Sequence, residues 1–502
     1  MSVLKNRSAR SFLFIIAPLV LTAYTHLWNP IGFPAIHGDE GIYISRGMHL
    51  LKGLGIQEVP FYDDPYFGQI FLASTFWIIG FPYSLHPSVG NLHSIEALYM
   101  VPRDLMGLLA VVDTLLVYKI SERRYNRNVA FIASILFAVM PITWLTRRIF
   151  LDSIQLPFLL SSILFADYTN RLKYNRKISM TLLSGTFMGV AIFTKIPVFT
   201  IIPLVIFLIY NKNGKNWRVL LRLWLIPVIL MPMIWPVYAL SIGEFRLWVA
   251  GVFLQLHRIS QPLVDSMNAF FKNDPILLLL GVAGLVFAAI KRDYFLLLWI
   301  IPFLIFLYFI GYVSLFHFIP LIPPLCIAAA RLIADLLKGI RNKKVQQLLP
   351  FFVISGITIF GLVSSTMLIT TDLNSSRFRA AAFVAQYLPY TDNSKTDKIT
   401  IISDPFYSWI AQYVFEKNHI YQSYYTKYPV LTRKVLLVVD WGFRNTMSLH
   451  DRQAERLQNI YDKTHPILSI ADNLSKYNFN LYPYTILAEH PTEQRVEVRI
   501  NY

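Results

Sequence analysis

The sequence predicts an all-α polytopic membrane bundle with a small α/β domain outside the bilayer. Three observations point there. Charged residues make up only 15% of the 502-residue chain, where a soluble domain averages about 25%, and the mean hydropathy is +0.48. Apolar runs of span length follow one another as far as residue 370. After Thr371 charges become frequent, and short β-like runs alternate with helical stretches.

In chain order, Lys5, Arg7 and Arg10 precede an apolar run over 11–28. That run is long for a signal peptide and lacks a small-x-small cleavage site, so it reads as an uncleaved first span with its basic end in the cytoplasm. Further apolar runs lie near 66–85, 98–119, 129–146, 149–168, 179–196, 197–210, 219–241, 275–290, 294–313, 318–337 and 349–370. Loop charge decides which of them cross. The loops 121–128, 169–178, 211–218, 291–293 and 338–344 carry 16 Lys and Arg, including Arg171, Lys173, Lys212, Lys215 and Arg341, against five in the intervening stretches. The richer set belongs in the cytoplasm, and this requires 66–85 not to cross. Gly68, Gly80 and Pro82 inside that run, with Asp63-Asp64-Pro65 and His86-Pro87 beside it, suit an interfacial or re-entrant helix. The expectation is about eleven spans in a domain over 1–370, with long external loops at 29–97 and 242–273, and an extracytoplasmic domain over 371–502.

In that last domain, strands are expected at Lys398–Ser403 and Lys434–Asp440 and helices at Ser376–Tyr387 and Leu449–Asn459. It holds no Gly-rich phosphate loop and no catalytic signature, so recognition or capping is its expected role. Asn374-Ser-Ser and Asn473-Leu-Ser are glycosylation sequons. The net charge of +17 is not a nucleic-acid footprint: residues 371–502 carry only +2, and the rest lies in short loops between spans. The single cysteine, Cys326, excludes a disulfide framework and reads as a small core hydrophobe.

With this topology the external face gathers Asp39, Glu40, Asp64, Arg103, Arg148, Asp152, Lys195, His257, Arg258 and His317. A helix beginning near Asp39 aligns Asp39, Tyr43 and Arg46 on one face and gives Ile44, Met48 and Leu51 an apolar face suited to the membrane surface. Asp39-Glu40 reads either as a general base at the interface or as an acidic first turn favoured by the helix dipole. Arg148 and Asp152, four apart, read as a structural ion pair or as a carboxylate held by its arginine. Lys195 reads as a snorkelling residue or as a cation for a lipid phosphate. His257, Arg258 and His317 singly suit surface positions. A divalent cation on His37, Asp39, His257 and His317 has no ligand spacing behind it. Acids and cations on one face suit attack of an alcohol on a carbon bearing a phosphate leaving group. No P-loop for a soluble nucleotide is present.

These residues resemble a known family. Asp39-Glu40-x-x-Tyr43 with Arg46 to Gly53-Leu-Gly55, Tyr62-Asp63-Asp64-Pro65-Tyr66, Val101-Pro-Arg103, Arg148-Ile-Phe-Leu-Asp152, Phe193-Thr194-Lys195 and His317-Phe-Ile-Pro-Leu-Ile-Pro-Pro324 look like the motifs of GT-C glycosyltransferases. The likeness is to the superfamily of protein O-mannosyltransferases and lipid A aminoarabinose transferases. It covers roughly 10–340, and the second proline of the family's Pro-Pro stretch is missing at Tyr66. It implies an inverting transfer of a sugar from a polyprenyl-phosphate donor to a hydroxyl of protein, lipid or glycan at the outer face of the plasma membrane, or of the endoplasmic reticulum membrane in a eukaryote. It implies Asp39 as general base with Glu40 and Asp152 in support, through a metal in some relatives, and Arg103, Lys195, His257 and Arg258 for the lipid phosphate. The alternative class is a non-enzymatic flippase for lipid-linked sugars. Such a transporter needs ionisable groups near the bilayer midplane, where only Asp113 stands out.

Overall fold

The computed structural model describes residues 2–58, 62–87, 91–169, 174–210, 216–258, 262–338, 343–391, 399–417, 419–422, 434–447, 452–488 and 490–501. Arg171, Lys173, Lys212, Lys215 and Arg341 of the basic loops lie outside them, as do Lys398 and Leu449.

The chain opens with α1 (Ser2–Leu27), then two helices of the first long loop, α2 (Gly38–Leu51) and α3 (Phe67–Ile79). The α3 helix stops at Gly80, whose left-handed φ of 68° ends the hydrogen-bond ladder. Its 13 residues reach only about 20 Å, short of the roughly 30 Å hydrocarbon core. Next come α4 (Leu92–Arg124), capped by Asn91, and α5 (Arg127–Val139), capped by Asn126. A 3-10 helix, Pro141–Arg147, leads to α6 (Leu151–Tyr168), α7 (Tyr174–Thr194), α8 (Ile202–Tyr210) and α9 (Trp217–Ser241). The second long loop contains α10 (Phe245–Leu256) and α11 (Leu263–Asn273); α12 (Pro275–Ile290), α13 (Tyr294–Ile310), α14 (Ile322–Lys338) and α15 (Lys343–Ile369) complete the bundle.

Each of the eleven runs expected to cross is helical. Among the described residues, four helices are by themselves long and apolar enough to span a membrane, and bent pairs raise this to six. The others are shortened or carry charge, as α4 does with Arg103, Asp104 and Asp113. Small residues let the helices approach closely. A Cβ on Gly185 of α7 would lie 2.5 Å from the Trp224 carbonyl oxygen of α9, and one on Gly189 would strike that of Pro227.

The C-terminal part begins with α16 (Ser375–Thr391). It continues with β1 (Thr400–Ser403), α17 (Pro405–Trp409), a π-helical turn Ile410–Val414, β2 (Ile420–Gln422), β3 (Val435–Val439), α18 (Trp441–Met447), α19 (Arg452–Asp462), β4 (His465–Asn473) and β5 (Glu493–Ile500). The sheet order is β2-β1-β3-β5-β4. β1 runs parallel to β2 and β3, with Ile401 opposite Leu436; β5 runs antiparallel to β3 and β4, with Val438 opposite Val498.

This part shares a hydrophobic core with the first loop. Ile44, Met48, Leu72, Phe76, Ile95 and Leu98 pack with Phe378, Trp409, Leu436 and Val498. The apolar face of α2 therefore does not lie on the membrane surface as expected. Ile44 and Met48 are wholly buried against protein, and Gly41 passes so close to Pro405 that a Cβ would sit 2.5 Å from its carbonyl oxygen.

Candidate active site

The acidic motif sits at the start of α2. His37 is the N-cap: its Nδ1 accepts from the Asp39 amide (3.2 Å), while its own N–H donates to Glu40 Oε1 (2.9 Å), forming a capping box. The box turns Glu40 inward and Asp39 outward. Glu40 is fully buried and takes a bidentate pair from Arg103 of α4, Nη2 to Oε1 at 2.7 Å and Nε to Oε2 at 2.9 Å. The Ile149 amide also donates to Oε2, at 3.3 Å. Arg103 spends Nη1 on the carbonyls of Pro30 and Pro34. Burial alone would raise the Glu40 carboxyl, but Arg103 outweighs it and holds it below the ordinary range. Glu40 and Arg103, expected to serve catalysis and substrate binding, are thus spent on each other and on the backbone.

Asp39 differs. Its side chain is 35% exposed, with His37 Nδ1 3.7 Å away, and among the described residues its carboxylate accepts no hydrogen bond. Tyr43 follows one turn on. Arg46 pairs with Asp63 (2.8 Å) and lies 4.0 Å from Asp64. Burial and the neighbouring Asp63 push the Asp64 carboxyl up to about 7, against the pull of Lys195 and Arg46. The Asp39 charge acts on Asp64, Tyr43 and Arg148.

The bundle supplies the cations. Lys195, where α7 ends, donates to Asp152 of α6 at 2.6 Å and lies 4.7 Å from the centre of the Phe316 ring. The expected Arg148–Asp152 pair does not form. Four-residue spacing brings side chains together only on a helix, and Arg148 is extended (ψ 150°) ahead of α6. Arg148 instead donates to the Ala35 carbonyl (2.9 Å) and stacks over Trp144 and Phe150. Burial lowers its guanidinium to about 10. His317 accepts from the Ser314 amide and packs on Phe316. Arg258 lies over Tyr312 at 5.2 Å, close enough for its charge to act on His317. His257 is exposed and stacked on Phe253. Among the described residues, no three His, Cys, Asp or Glu side chains gather as a metal site.

Sequence reasoning missed what the C-terminal part brings. Asp404 and Asp440 immediately follow the C-terminal ends of the parallel neighbours β1 and β3, the position where open α/β sheets place ligand-facing groups. Arg377 joins them with an ion pair to Asp440 (3.1 Å). Burial and Asp440 push Asp404 up to about 7, and Asp39 adds to that field. His490 is lowered to about 4 by burial and then by Arg148. The Asp-Pro cap at Asp404-Pro405 was the available signal.

Comparison with known proteins follows the same lines. A family model for dolichyl-phosphate-mannose-protein mannosyltransferase matches residues 88–239. Sequence comparison with curated proteins returns no match. Among solved structures, ArnT from Cupriavidus metallidurans in the apo state aligns over 98% of both chains at 13% identity, with a TM-score of 0.56. The chain has the GT-C fold of the membrane glycosyltransferases. ArnT bound to undecaprenyl phosphate aligns equally, at 12% identity and TM-score 0.56. The archaeal oligosaccharyltransferase AglB from Archaeoglobus fulgidus, in complex with an inhibitory peptide and a dolichol-phosphate, aligns at 12% identity and TM-score 0.50 over 82% of this chain and 64% of its own. The matched family and both neighbours are glycosyltransferases, and the chain is a multi-pass membrane protein. The GT-C likeness to ArnT extends through the C-terminal part, which the sequence motifs did not reach.

Proposed function

We propose that this GT-C protein is an integral membrane glycosyltransferase. It moves a sugar from a polyprenyl-phosphate donor to a hydroxyl acceptor on protein, lipid or glycan at the outer membrane face. The observation that carries the reading is one half-exposed carboxylate, Asp39, unbonded among the described residues. It stands at the same end of the bundle as Lys195, Arg148 and Arg258. Asp39 takes the acceptor's proton as the hydroxyl oxygen attacks the anomeric carbon. The carbon–oxygen bond to phosphate breaks on the opposite side, so the configuration inverts. The polyprenyl phosphate leaves with the bonding electrons, its charge met by the cations. Glu40 and Arg103 hold α2 in register, and Asp152 holds Lys195. Two neighbours are known with undecaprenyl phosphate and with dolichol-phosphate bound, which supports a donor of that class.

The eleven-span topology, with the C-terminal part outside the plasma or endoplasmic reticulum membrane, belongs to this reading. It is supported by the charge of the connecting loops. The flippase alternative draws on Asp113, a buried carboxylate within α4 whose oxygens have no hydrogen-bond partner among the described residues. The test is transfer by purified Asp39→Asn protein supplied with a polyprenyl-phosphate sugar and a hydroxyl acceptor. The variant should insert normally and lose transfer, and full activity overturns the base assignment.

A further inference from the structure

We infer that the C-terminal part places the proposed base through two positioning residues, Asn374 and Arg377. The backbone just before His37 is buried and lies in no helix or strand: Ile36 is 5% exposed. Its polar groups must nevertheless be paired, and both are paired from the far end of the chain. The Ile36 amide donates to Asn374 Oδ1 at 2.9 Å. The Ile36 carbonyl accepts from Arg377 Nη1 at 2.7 Å. Asn374 Nδ2 gathers the Ile31, Pro34 and Gly32 carbonyls at 2.7, 3.0 and 3.3 Å. Arg377 is in turn fixed by its ion pair to Asp440 at the end of β3.

A continuous chain of bonds therefore runs from the sheet through Asp440 and Arg377 to Ile36. From there it passes to the His37 cap and so to Asp39, three residues beyond. Asp39 follows that cap directly, so loosening Ile36 lets the Asp39 carboxylate shift relative to Lys195, which stands on another element after α7. Asn374 opens a glycosylation sequon, but it is fully buried with its amide nitrogen engaged. Its place in the molecule is this clamp, and Asn473, which is exposed, is the sequon left open.

The inference rests on Asp39 being the base, and the experiment separates the two. Asn374→Asp keeps the acceptor for the Ile36 amide and loses the donors to the three carbonyls. Arg377→Lys keeps the charge opposite Asp440 and cannot reach both partners. Each is purified at full length and assayed for transfer, and amide hydrogen exchange over residues 36–43 is followed in the same preparations. Because an ångström of misplacement costs on the order of a hundredfold, kcat should fall by about tenfold to a hundredfold, with the KM for the polyprenyl-phosphate sugar unchanged. Exchange over 36–43 should quicken while that over α7 does not. Unchanged kcat and unchanged exchange overturn the inference, as does a rise in KM with kcat retained. Should Arg377→Lys not fold, Asn374→Asp decides alone, and if neither folds the two residues are parts of the core and the inference fails. If Asp39→Asn proves fully active while exchange quickens as expected, the base assignment falls and the clamp stands.

Discussion

Replacing Glu40 by glutamine separates a structural from a chemical use of the second acid. The Glu40 carboxylate accepts four hydrogen bonds, two from Arg103 and one each from the His37 and Ile149 amides. A glutamine amide keeps one oxygen and turns a nitrogen toward two of those donors. It also removes the only charge paired with the buried Arg103 guanidinium among the described residues. Breaking a buried ion pair by losing one partner costs about 3–5 kcal/mol. At about 2.1 cal/mol/K per residue, a chain of this length melting as one unit loses about 3–5 °C. Thermal unfolding of purified protein in detergent, read by intrinsic fluorescence, should show that drop in Glu40→Gln. Transfer assayed well below the melting temperature should be reduced rather than abolished. The double variant Glu40→Leu/Arg103→Met should recover much of the loss, because apolar replacement of a buried pair is often neutral or stabilising. An unchanged melting temperature with abolished transfer would refute the structural reading and return Glu40 to the chemistry.

Three further outcomes are expected. Asp64, folded at about 7 against about 3.9 unfolded, holds its proton longer in the native state. Its contribution is complete below about pH 4 and is lost as pH rises through about 7, on the order of 4 kcal/mol at most. Asp64→Asn should therefore be more stable than the parent at pH 8 and lose the advantage toward pH 4, as read from melting temperatures at the two values. Lys195→Met leaves Asp152 buried without its partner and should both destabilise and weaken donor binding. Lys195→Met/Asp152→Asn should regain stability but not affinity for the lipid phosphate, measured with labelled polyprenyl phosphate. In a Cys326→Ala background, a cysteine at Asn126 should be protected from an external thiol reagent and one at Leu85 should react; the reverse would restore 66–85 as a span.

Much of this was legible in local sequence. Each long apolar run folds as a helix, and Gly80 ends α3 inside the run 66–85, because helical periods and left-handed turns depend on neighbours in the chain. What failed depended on tertiary contacts. Arg148 and Asp152 have helical spacing, yet the helix begins between them, and the partner of Asp152 is Lys195 from another helix. Ile44 and Met48 form an apolar stripe whose periodicity does not say whether lipid or protein covers it; here the cover comes from α3 and α4 together with residues beyond 374. Of the strands, β1 and β3 read as short apolar runs. β4 and β5 did not: Arg495, Glu497 and Arg499 interrupt β5, and only folding shows that Glu497 and Arg499 pair with each other at 2.7 Å.

The sheet carries a consequence for how such a chain comes into being. β5 follows every other described element, yet it lies inside the sheet between β3 and β4, and Val496 and Val498 join the same core as Ile44 and Met48. The part of the cover over α2 that β5 supplies is therefore the last to be made. The Ile36 backbone gains its Asn374 and Arg377 partners only after most of the polypeptide has been made. A molecule truncated before β5 would lack Val496 and Val498 in the core that holds Ile44 and Met48.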